Sequence, residues 1–223
     1  MSCHAVYYYT NLPSEVVDIL CKDVINNFDP DMSESILTGN HTNSELRKSQ
    51  NAWISTDHWI SGFLWHYVQK ANRENFLYDV THIDSESLQF TKYEEGEFYN
   101  WHTDACTRDY YKPKVRRISS RTKGDSELHQ DYLNIQNEYV RKISFSLQLS
   151  NPYDYEGGNI QFVDDERKPF IAPRQRGSLI LFDSRIQHRV LKVKKGVRRS
   201  IVGWVLGPRS VSYTHLRAHE TGP

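Results

Sequence analysis

The sequence predicts a mainly β fold with flanking helices, arranged as a β-sandwich or small barrel. The clearest strand is RKISFSLQLS at residues 141–150, where apolar and polar side chains alternate with the period of an extended chain. Further apolar segments follow at short spacings: IQFV, PFIA, SLILF, HRVLKV and RRSIVGWVL. Short strands in such succession are typical of sandwiches and barrels, and 223 residues are enough for one such domain.

The N-terminal part of the chain predicts one strand and two helices. Residues 5–10 form a short opening strand, and Pro13 stands where the first helix begins. The polar stretch 29–52 predicts a surface loop, and Thr56 is the expected N-cap of the second helix. An apolar stripe lets each helix cover one face of a sheet. The stripes are Val17, Leu20, Cys21, Val24 and Ile25, then Trp59, Ile60, Phe63, Leu64, Tyr67, Val68 and Ala71.

Two stretches do not follow the β pattern. Residues 106–138 are charged and irregular, and a stretch of this length inside a domain is often a lid or a binding loop. Acidic residues surround its basic segment 112–121, which we interpret as a solvated loop. Residues 210–223 differ in composition from the domain, so we interpret them as a non-native or disordered tail and leave them out of site reasoning.

The overall composition narrows the range of partners and compartments. Lys and Arg together number 28, as do Asp and Glu, so nothing in the net charge favours nucleic acid or an anionic membrane as a partner. The three cysteines are widely scattered, which argues against a disulfide framework. The first residues lack the pattern of a signal peptide, and no apolar run reaches the length of a membrane span. We therefore expect a soluble protein of the cytoplasm.

A small set of separated residues suggests a metal site. His102 and Asp104 are two residues apart, so in a strand they lie on the same face. With His188 they make two histidines and one carboxylate, the facial set that binds non-haem Fe(II) and leaves positions open for other ligands. Arg198 follows ten residues later, where a cation can hold a dicarboxylic co-substrate. A lone His-x-Asp triplet is common by chance, so the prediction depends on the whole combination.

Three stretches resemble the Fe(II)/2-oxoglutarate-dependent dioxygenase superfamily, in particular its prolyl 4-hydroxylase-like branch with the bacterial PKHD-type hydroxylases. They are YEEGEFYNWHTDA at 93–105, YEGGNIQF at 155–162 and GSLILFDSRIQHRVLKVKKGVRRSIVGW at 177–204. The resemblance implies a double-stranded β-helix (jelly-roll, cupin-like) core. It also implies a single dioxygenase domain over residues 1–209, with helical support at 1–85 and the core at 86–209.

The same resemblance implies the ligands of the site. His102, Asp104 and His188 would bind Fe(II), and Arg198 would pair with the distal carboxylate of 2-oxoglutarate through two charge-assisted hydrogen bonds. Tyr93, nine residues before the first metal ligand, would hydrogen-bond the co-substrate or line its pocket. The resemblance also leaves room for ascorbate as an additional cofactor.

One residue departs from the family pattern. Many prolyl hydroxylases carry a tyrosine on the central strand where this chain has Gln148. The Gln148 amide either donates a hydrogen bond to the co-substrate in place of that tyrosine, or the role is lost. The polar face formed by Ser144, Ser146 and Gln148 either points into the barrel or is solvated, and the sequence leaves both interpretations open.

The favoured function is Fe(II)- and 2-oxoglutarate-dependent hydroxylation of an unactivated C–H bond, with release of succinate and CO₂. Its partners would be 2-oxoglutarate, O₂ and a peptide or small-molecule substrate, for which the resemblance favours peptidyl proline or a free amino acid. A nucleic-acid dealkylase of the same superfamily is one alternative, disfavoured by the zero net charge. A jelly-roll binding module without catalysis is another, disfavoured by the complete set of ligand-type residues.

Overall fold

The computed structural model describes residues 4–35, 45–84, 88–105, 139–164 and 166–208. The helices are α1 (Ser14–Phe28) and α2 (Trp59–Ala71), with a 3₁₀ turn at Asp29–Asp31 and a π-helical turn at Asn72–Phe76. The described strands are β1 (Val6–Tyr9), β2 (Ser33–Glu34), β3 (Arg47–Lys48), β4 (Gln50–Trp53), β5 (His82–Ile83), β6 (Gln89–Tyr93), β7 (Phe98–His102), β8 (Tyr139–Gln148), β9 (Tyr155–Gly157), β10 (Ile160–Val163), β11 (Pro169–Ile171), β12 (Leu179–Asp183), β13 (His188–Val190), β14 (Val193–Gly196) and β15 (Arg198–Pro208). Strands predominate, as the sequence predicts.

The strands form two facing antiparallel sheets. The main sheet has the order β1-β12-β8-β15-β6-β4-β2, with β5 added beside β15. The minor sheet has the order β11-β10-β13-β7-β3, and β9 pairs separately with β14. Strands that are distant in sequence become neighbours in both sheets, as in jelly-roll folds, so residues from several parts of the chain meet between them.

The prediction of a surface loop over 29–52 is wrong for part of that stretch. β2 and β4 extend the main sheet beyond β6, and β3 pairs with β7 at the edge of the minor sheet. These strands are only two to four residues long and mostly polar. They are stabilised by pairing with a longer strand. Pairing of this kind does not require a hydrophobic period in the sequence, so no such period marks these strands.

The two predicted helices are present, but the second begins later than expected. α1 follows Pro13 directly. The N-cap of α2 is His58 and not Thr56, because the His58 ring accepts a hydrogen bond from the Ile60 backbone N–H. The indole of Trp59 donates to the carboxylate of Asp23. Trp59 is 46% exposed as a residue, although the predicted stripe included it.

Both faces of the main sheet are buried, one apolar and one partly polar. The apolar face packs against the two helices in a core that includes Ile143, Phe145 and Leu147 of β8. The alternate residues of β8 face the minor sheet: Ser144, Ser146 and Gln148, each at most 3% exposed. The inward interpretation of this polar face is therefore correct and the solvated one is wrong.

Some features expected from the sequence lie outside the described residues. They are the stretch 106–138, considered as a lid and including Cys106, and the tail 210–223. Within the described residues, no helix has the length and apolar character that crossing a membrane requires.

Candidate functional site

The first and third ligand-type residues meet because β7 and β13 are neighbours. His102, the last residue of β7, stands directly opposite His188, the first residue of β13. Asp104 lies two residues beyond β7. Its backbone N–H and that of Ala105 both donate to the carbonyl of Ser184, each at 2.9 Å. This shared acceptor fixes the backbone of Asp104 beside the turn that leads into β13.

The three side chains converge on one small volume. Nε2 of His102 is 3.7 Å from one carboxylate oxygen of Asp104, and Nε2 of His188 is 3.5 Å from the other. One ligand atom from each residue can be chosen so that all lie within 4.8 Å of one another. The side chains are largely buried, with His188 only 7% exposed as a residue.

Hydrogen bonds to backbone carbonyls set the tautomer of both imidazoles. Nδ1 of His102 is 2.7 Å from the Asn100 carbonyl, and Nδ1 of His188 is 3.1 Å from the Ile186 carbonyl. Because a carbonyl can only accept, each Nδ1 carries the proton and each Nε2 presents its lone pair towards Asp104. Oriented histidines of this kind are what a metal site needs, so the donor set fits Fe(II).

Electrostatics also favour the charge state that a metal requires. Burial, together with the neighbouring His188, lowers the pKa of His102 to about 4, which keeps the ring neutral near pH 7. Burial opposes ionisation of Asp104, but the facing imidazoles outweigh this effect and hold the pKa of its carboxyl below the usual range. Neutral imidazoles and an ionised carboxylate are the forms that bind a divalent cation.

Tyr99 is a site residue that the sequence reasoning missed. Its ring stacks on the His102 imidazole, with centroids 3.5 Å apart and planes inclined by 14°, and the Arg47 guanidinium lies 4.9 Å from the Tyr99 centroid. Strand alternation would place residues 99 and 102 on opposite faces. The register between β7 and β13 shifts by one residue between them, and this β-bulge brings both onto one face. No sequence signal marks the bulge.

Arg198 is buried inside the fold, on the face of the main sheet that looks towards the minor sheet. It is 1% exposed, and burial lowers the pKa of its guanidinium. Nη2 donates to the Gln148 side-chain oxygen at 2.8 Å, and Nη1 donates to the Ser200 hydroxyl at 3.2 Å. Tyr93 stands opposite Arg198 on β6, its ring centroid 5.5 Å from the guanidinium carbon. The neighbouring Arg199 points the other way, towards Asp29.

No carboxylate among the described residues forms an ion pair with Arg198. A buried cation without a counter-ion is costly, since its hydration is lost and neutral hydrogen bonds replace only part of it. The chemistry that would complete this environment is a carboxylate from a ligand, to which a guanidinium can donate two parallel hydrogen bonds. The co-substrate residues predicted from the sequence, Tyr93, Gln148 and Arg198, are thus brought together.

Aromatic side chains connect the two parts of the site. The Phe182 ring lies 4.6 Å from the His188 ring, and Phe182 stands opposite Ser144 in the main sheet. Phe162 contacts both Phe182 and His188, with centroids at 4.9 and 5.9 Å. Tyr93, which lies opposite Arg198, packs in the same core cluster as Phe162 and Phe182. The three ligand-type residues therefore face the same interior that holds Arg198.

Residues 88–206 match the family model described as the 2OG-Fe(II) oxygenase superfamily, which is more than half of the chain. The chain belongs to this superfamily. The matched region contains His102, Asp104, His188 and Arg198, so the family and the site geometry concern the same part of this oxygenase-family fold.

Curated relatives of this superfamily member are PKHD-type hydroxylases of bacteria. The one from Synechococcus elongatus is 31% identical over 160 residues, covering 70% of this chain and 60% of the relative. The one from Crocosphaera subtropica is 30% identical over 142 residues, covering 62% of this chain and 51% of the relative. The chain therefore spans between half and three fifths of the length of these relatives.

Solved structures of prolyl hydroxylases have the same fold. A Pseudomonas putida prolyl-4-hydroxylase superposes with a TM-score of 0.64 at 18% identity, covering 93% of this chain and 94% of that one. A Trichoplax adhaerens prolyl hydroxylase, in complex with a hypoxia inducible factor peptide fragment, gives 0.68 at 19% identity, covering 91% and 84%. The predicted double-stranded β-helix is thereby confirmed.

Proposed function

We propose that this protein is an Fe(II)- and 2-oxoglutarate-dependent dioxygenase that hydroxylates an unactivated C–H bond. The observation that carries the proposal is the pairing of two features in one interior. One is a set of two oriented imidazoles and a carboxylate, and the other is a buried guanidinium that forms no ion pair with a described carboxylate. Family membership supports the same chemistry.

His102, Asp104 and His188 would hold the metal. Bound there, Fe(II) supplies the oxidation of 2-oxoglutarate by O₂ that drives hydroxylation and yields succinate and CO₂. The protein's part is geometric. The Asn100 and Ile186 carbonyls keep both Nε2 atoms aimed at the centre, and a facial arrangement of three ligands leaves the remaining positions for co-substrate and O₂.

Arg198 would bind the far carboxylate of 2-oxoglutarate. Its buried guanidinium has donors left after the bonds to Gln148 and Ser200, and a low-dielectric interior strengthens its attraction for an anion. Tyr93 would line the same pocket from β6. These contacts fix one end of the co-substrate while its keto acid end reaches the metal.

The proposed substrate is a peptidyl proline or a free amino acid. Support comes from relatives named PKHD-type hydroxylases and from structural neighbours that are prolyl hydroxylases, one of them solved with a peptide. We further propose a single catalytic domain over residues 1–209 that acts in the cytoplasm, in keeping with the scattered cysteines.

The proposal is tested first by ligand binding without turnover. Anaerobic addition of Fe(II) and 2-oxoglutarate is expected to produce the visible absorption of the metal–keto acid chelate. Asp104→Ala should abolish it, whereas Thr103→Ala, one residue away, should not. Arg198→Ala should raise the 2-oxoglutarate requirement far more than the Fe(II) requirement, with Arg199→Ala as the matched control on the opposite face.

Turnover is tested next, by measuring succinate with and without ascorbate. Peptides that contain proline are compared with matched peptides that carry alanine at the same position, and free amino acids form a second panel. Succinate release that depends on Fe(II) and rises with a substrate supports the enzyme and excludes a binding module. A wild-type protein that neither forms the chelate nor releases succinate would refute the proposal.

A further inference from the structure

The Gln148 side chain is hydrogen-bonded at both ends, and its orientation is fixed by chemistry. Its oxygen accepts from Arg198 at 2.8 Å, and its nitrogen donates to the Ser146 hydroxyl at 3.0 Å. A guanidinium has only donors, so the amide oxygen must be the atom that faces it. The amide nitrogen is therefore directed along β8 towards Ser146.

The contacts of Arg198 show why this orientation matters. Gln148 and Ser200 accept from the two terminal nitrogens of the guanidinium, which fixes the plane of the group. Both acceptors are buried, at 3% and 0% exposed, so water does not compete with these bonds. A bidentate bond to a carboxylate requires that plane to be aligned, because its two donors are rigidly coupled.

We propose that Gln148 is a positioning residue. It holds the Arg198 guanidinium in the plane that receives the distal carboxylate of the co-substrate, and it does not bind the co-substrate itself. This inference rests on the proposed function. It replaces the direct hydrogen bond to the co-substrate that the sequence left open for Gln148, because the amide acts through Arg198 as an acceptor.

A double-mutant cycle tests this inference with the Mn(II)-loaded protein, which binds ligands without turnover. Gln148→Leu is expected to weaken 2-oxoglutarate binding about tenfold, the order of one hydrogen bond to a charged group. In the Arg198→Met background the same change should have no further effect. Calorimetric titration gives the dissociation constants. A further tenfold loss in that background would show direct contact and overturn the inference.

Two additional measurements exclude a merely structural role. Pyruvate lacks the distal carboxylate, so its affinity should be the same in wild type and Gln148→Leu, whereas a disordered pocket would weaken both keto acids. Gln148→Glu keeps an acceptor for Arg198 and should fold, but its charge neutralises the guanidinium and is expected to weaken 2-oxoglutarate binding more than a hundredfold. Unchanged 2-oxoglutarate affinity in Gln148→Leu or in Gln148→Glu would overturn the positioning role and leave the proposed function intact. A wild-type protein that binds no 2-oxoglutarate would overturn the proposed function as well.

A second and independent observation concerns Thr91. Its side chain is fully buried, and its hydroxyl has no hydrogen-bond partner in the structure. Thr91 on β6 stands opposite Ser200, and Tyr93, on the same face, stands opposite Arg198. Opposed residues of antiparallel strands share a face, so the Thr91 hydroxyl lies on the wall that also carries the guanidinium.

We infer that the Thr91 hydroxyl is a further contact for the co-substrate carboxylate held by Arg198, which again rests on the proposed function. A buried hydroxyl without a partner costs free energy, and a carboxylate oxygen of the ligand would satisfy it. Thr91 would then contribute to the preference for a keto diacid over a keto monoacid.

The test compares three variants by the same titration. Thr91→Val keeps the shape and removes the hydroxyl, and is expected to weaken 2-oxoglutarate binding five- to tenfold without changing pyruvate binding. Thr91→Ser should restore the affinity. Ser61→Ala removes another buried hydroxyl without a partner, on α2 and away from this wall, and should change neither ligand. Equal 2-oxoglutarate affinity in Thr91→Val and wild type would overturn the assignment and leave the role of Arg198 intact.

Discussion

Replacing both members of the Gln148–Arg198 pair by apolar side chains is expected to stabilise the ligand-free protein. The change is Gln148→Leu combined with Arg198→Met. Arg198 is 1% exposed and Gln148 3%, so the guanidinium has lost its hydration and instead donates hydrogen bonds to Gln148 and Ser200. Without an anionic ligand, the buried guanidinium therefore lowers the free energy of unfolding.

The size of this stabilisation follows from two opposing free energies, the desolvation of the guanidinium and the hydrogen bonds that it donates. Desolvating a charged group costs several kcal/mol, and two hydrogen bonds to neutral acceptors return roughly 1.5–3 kcal/mol each. Replacing a buried charged network by apolar groups of similar volume stabilises proteins by about 1–4 kcal/mol in known cases. At about 2–4 °C per kcal/mol for a chain of this size, we expect the melting temperature to rise by about 2–16 °C.

The single variants should rank below the double variant. Gln148→Leu leaves a charged donor buried without its acceptor and should be the least stable of the set. Arg198→Met leaves only a neutral acceptor unpaired, at a cost of about 1–3 kcal/mol that the removal of the charge offsets.

Thermal unfolding followed by circular dichroism, without metal or keto acid, gives the ranking. Adding Mn(II) and 2-oxoglutarate should then raise the melting temperature of wild type more than that of the double variant. A double variant that melts below wild type would refute the argument that burial of Arg198 destabilises the ligand-free protein.

Three further outcomes are expected. Between pH 6.5 and 4 the metal-free protein should lose stability as the pH falls, because the pKa of His102 is about 4 in the folded protein and 6.5 in the unfolded chain, which therefore binds more protons. Urea titrations should show that the free energy of unfolding falls by at most roughly 3 kcal/mol, and this loss should be absent in His102→Asn. Tyr99→Leu should weaken Mn(II) binding about tenfold by removing the ring stacked on His102, while Tyr99→Phe keeps the stack and the affinity, and equal affinity in all three proteins would contradict this role. Gly203→Ala should destabilise the protein by about 1–3 kcal/mol because the new Cβ would lie 2.5 Å from the Phe145 ring, whereas Gly62→Ala meets open space and should cause no loss in chemical denaturation.

The convergence of His102, Asp104 and His188 could be predicted from the sequence because its signal is local or belongs to the family. His102 and Asp104 follow the spacing rule of an extended chain, and His188 and Arg198 lie in a stretch that resembles the superfamily. Tyr99 could not be found in the same way. Its position on the His102 face depends on one extra residue in β7 relative to β13, and that shift is a property of the pairing.

The polar face of β8 shows a second limit of sequence patterns. Alternation indicates that Ser144, Ser146 and Gln148 share a face, but it does not say whether that face meets water or a ligand pocket. The structure buries both faces, one against the helices and one against the minor sheet. Burial of a polar face requires a second sheet, whose position is set by long-range topology.

The short strands of 29–52 and the start of α2 could not be predicted for one shared reason. β3 forms by pairing with the edge of β7. The first turn of α2 is fixed by His58, which caps Ile60 and lies beside Asp23. Each depends on a partner far away in the sequence. Rules based on neighbouring residues therefore miss these strands and give the presence of α2 without its first residue.

The division of the site between two sheets has a consequence for selectivity. His102 and His188 belong to the minor sheet and Arg198 to the main one, and Phe162 and Phe182 pack beside His188 in the interior. In the proposed enzyme the separation of the two sheets sets the span that a keto diacid must bridge between the metal and the guanidinium. The packing that fixes this separation would then determine which carbon-chain length fits, although it binds neither end of the co-substrate.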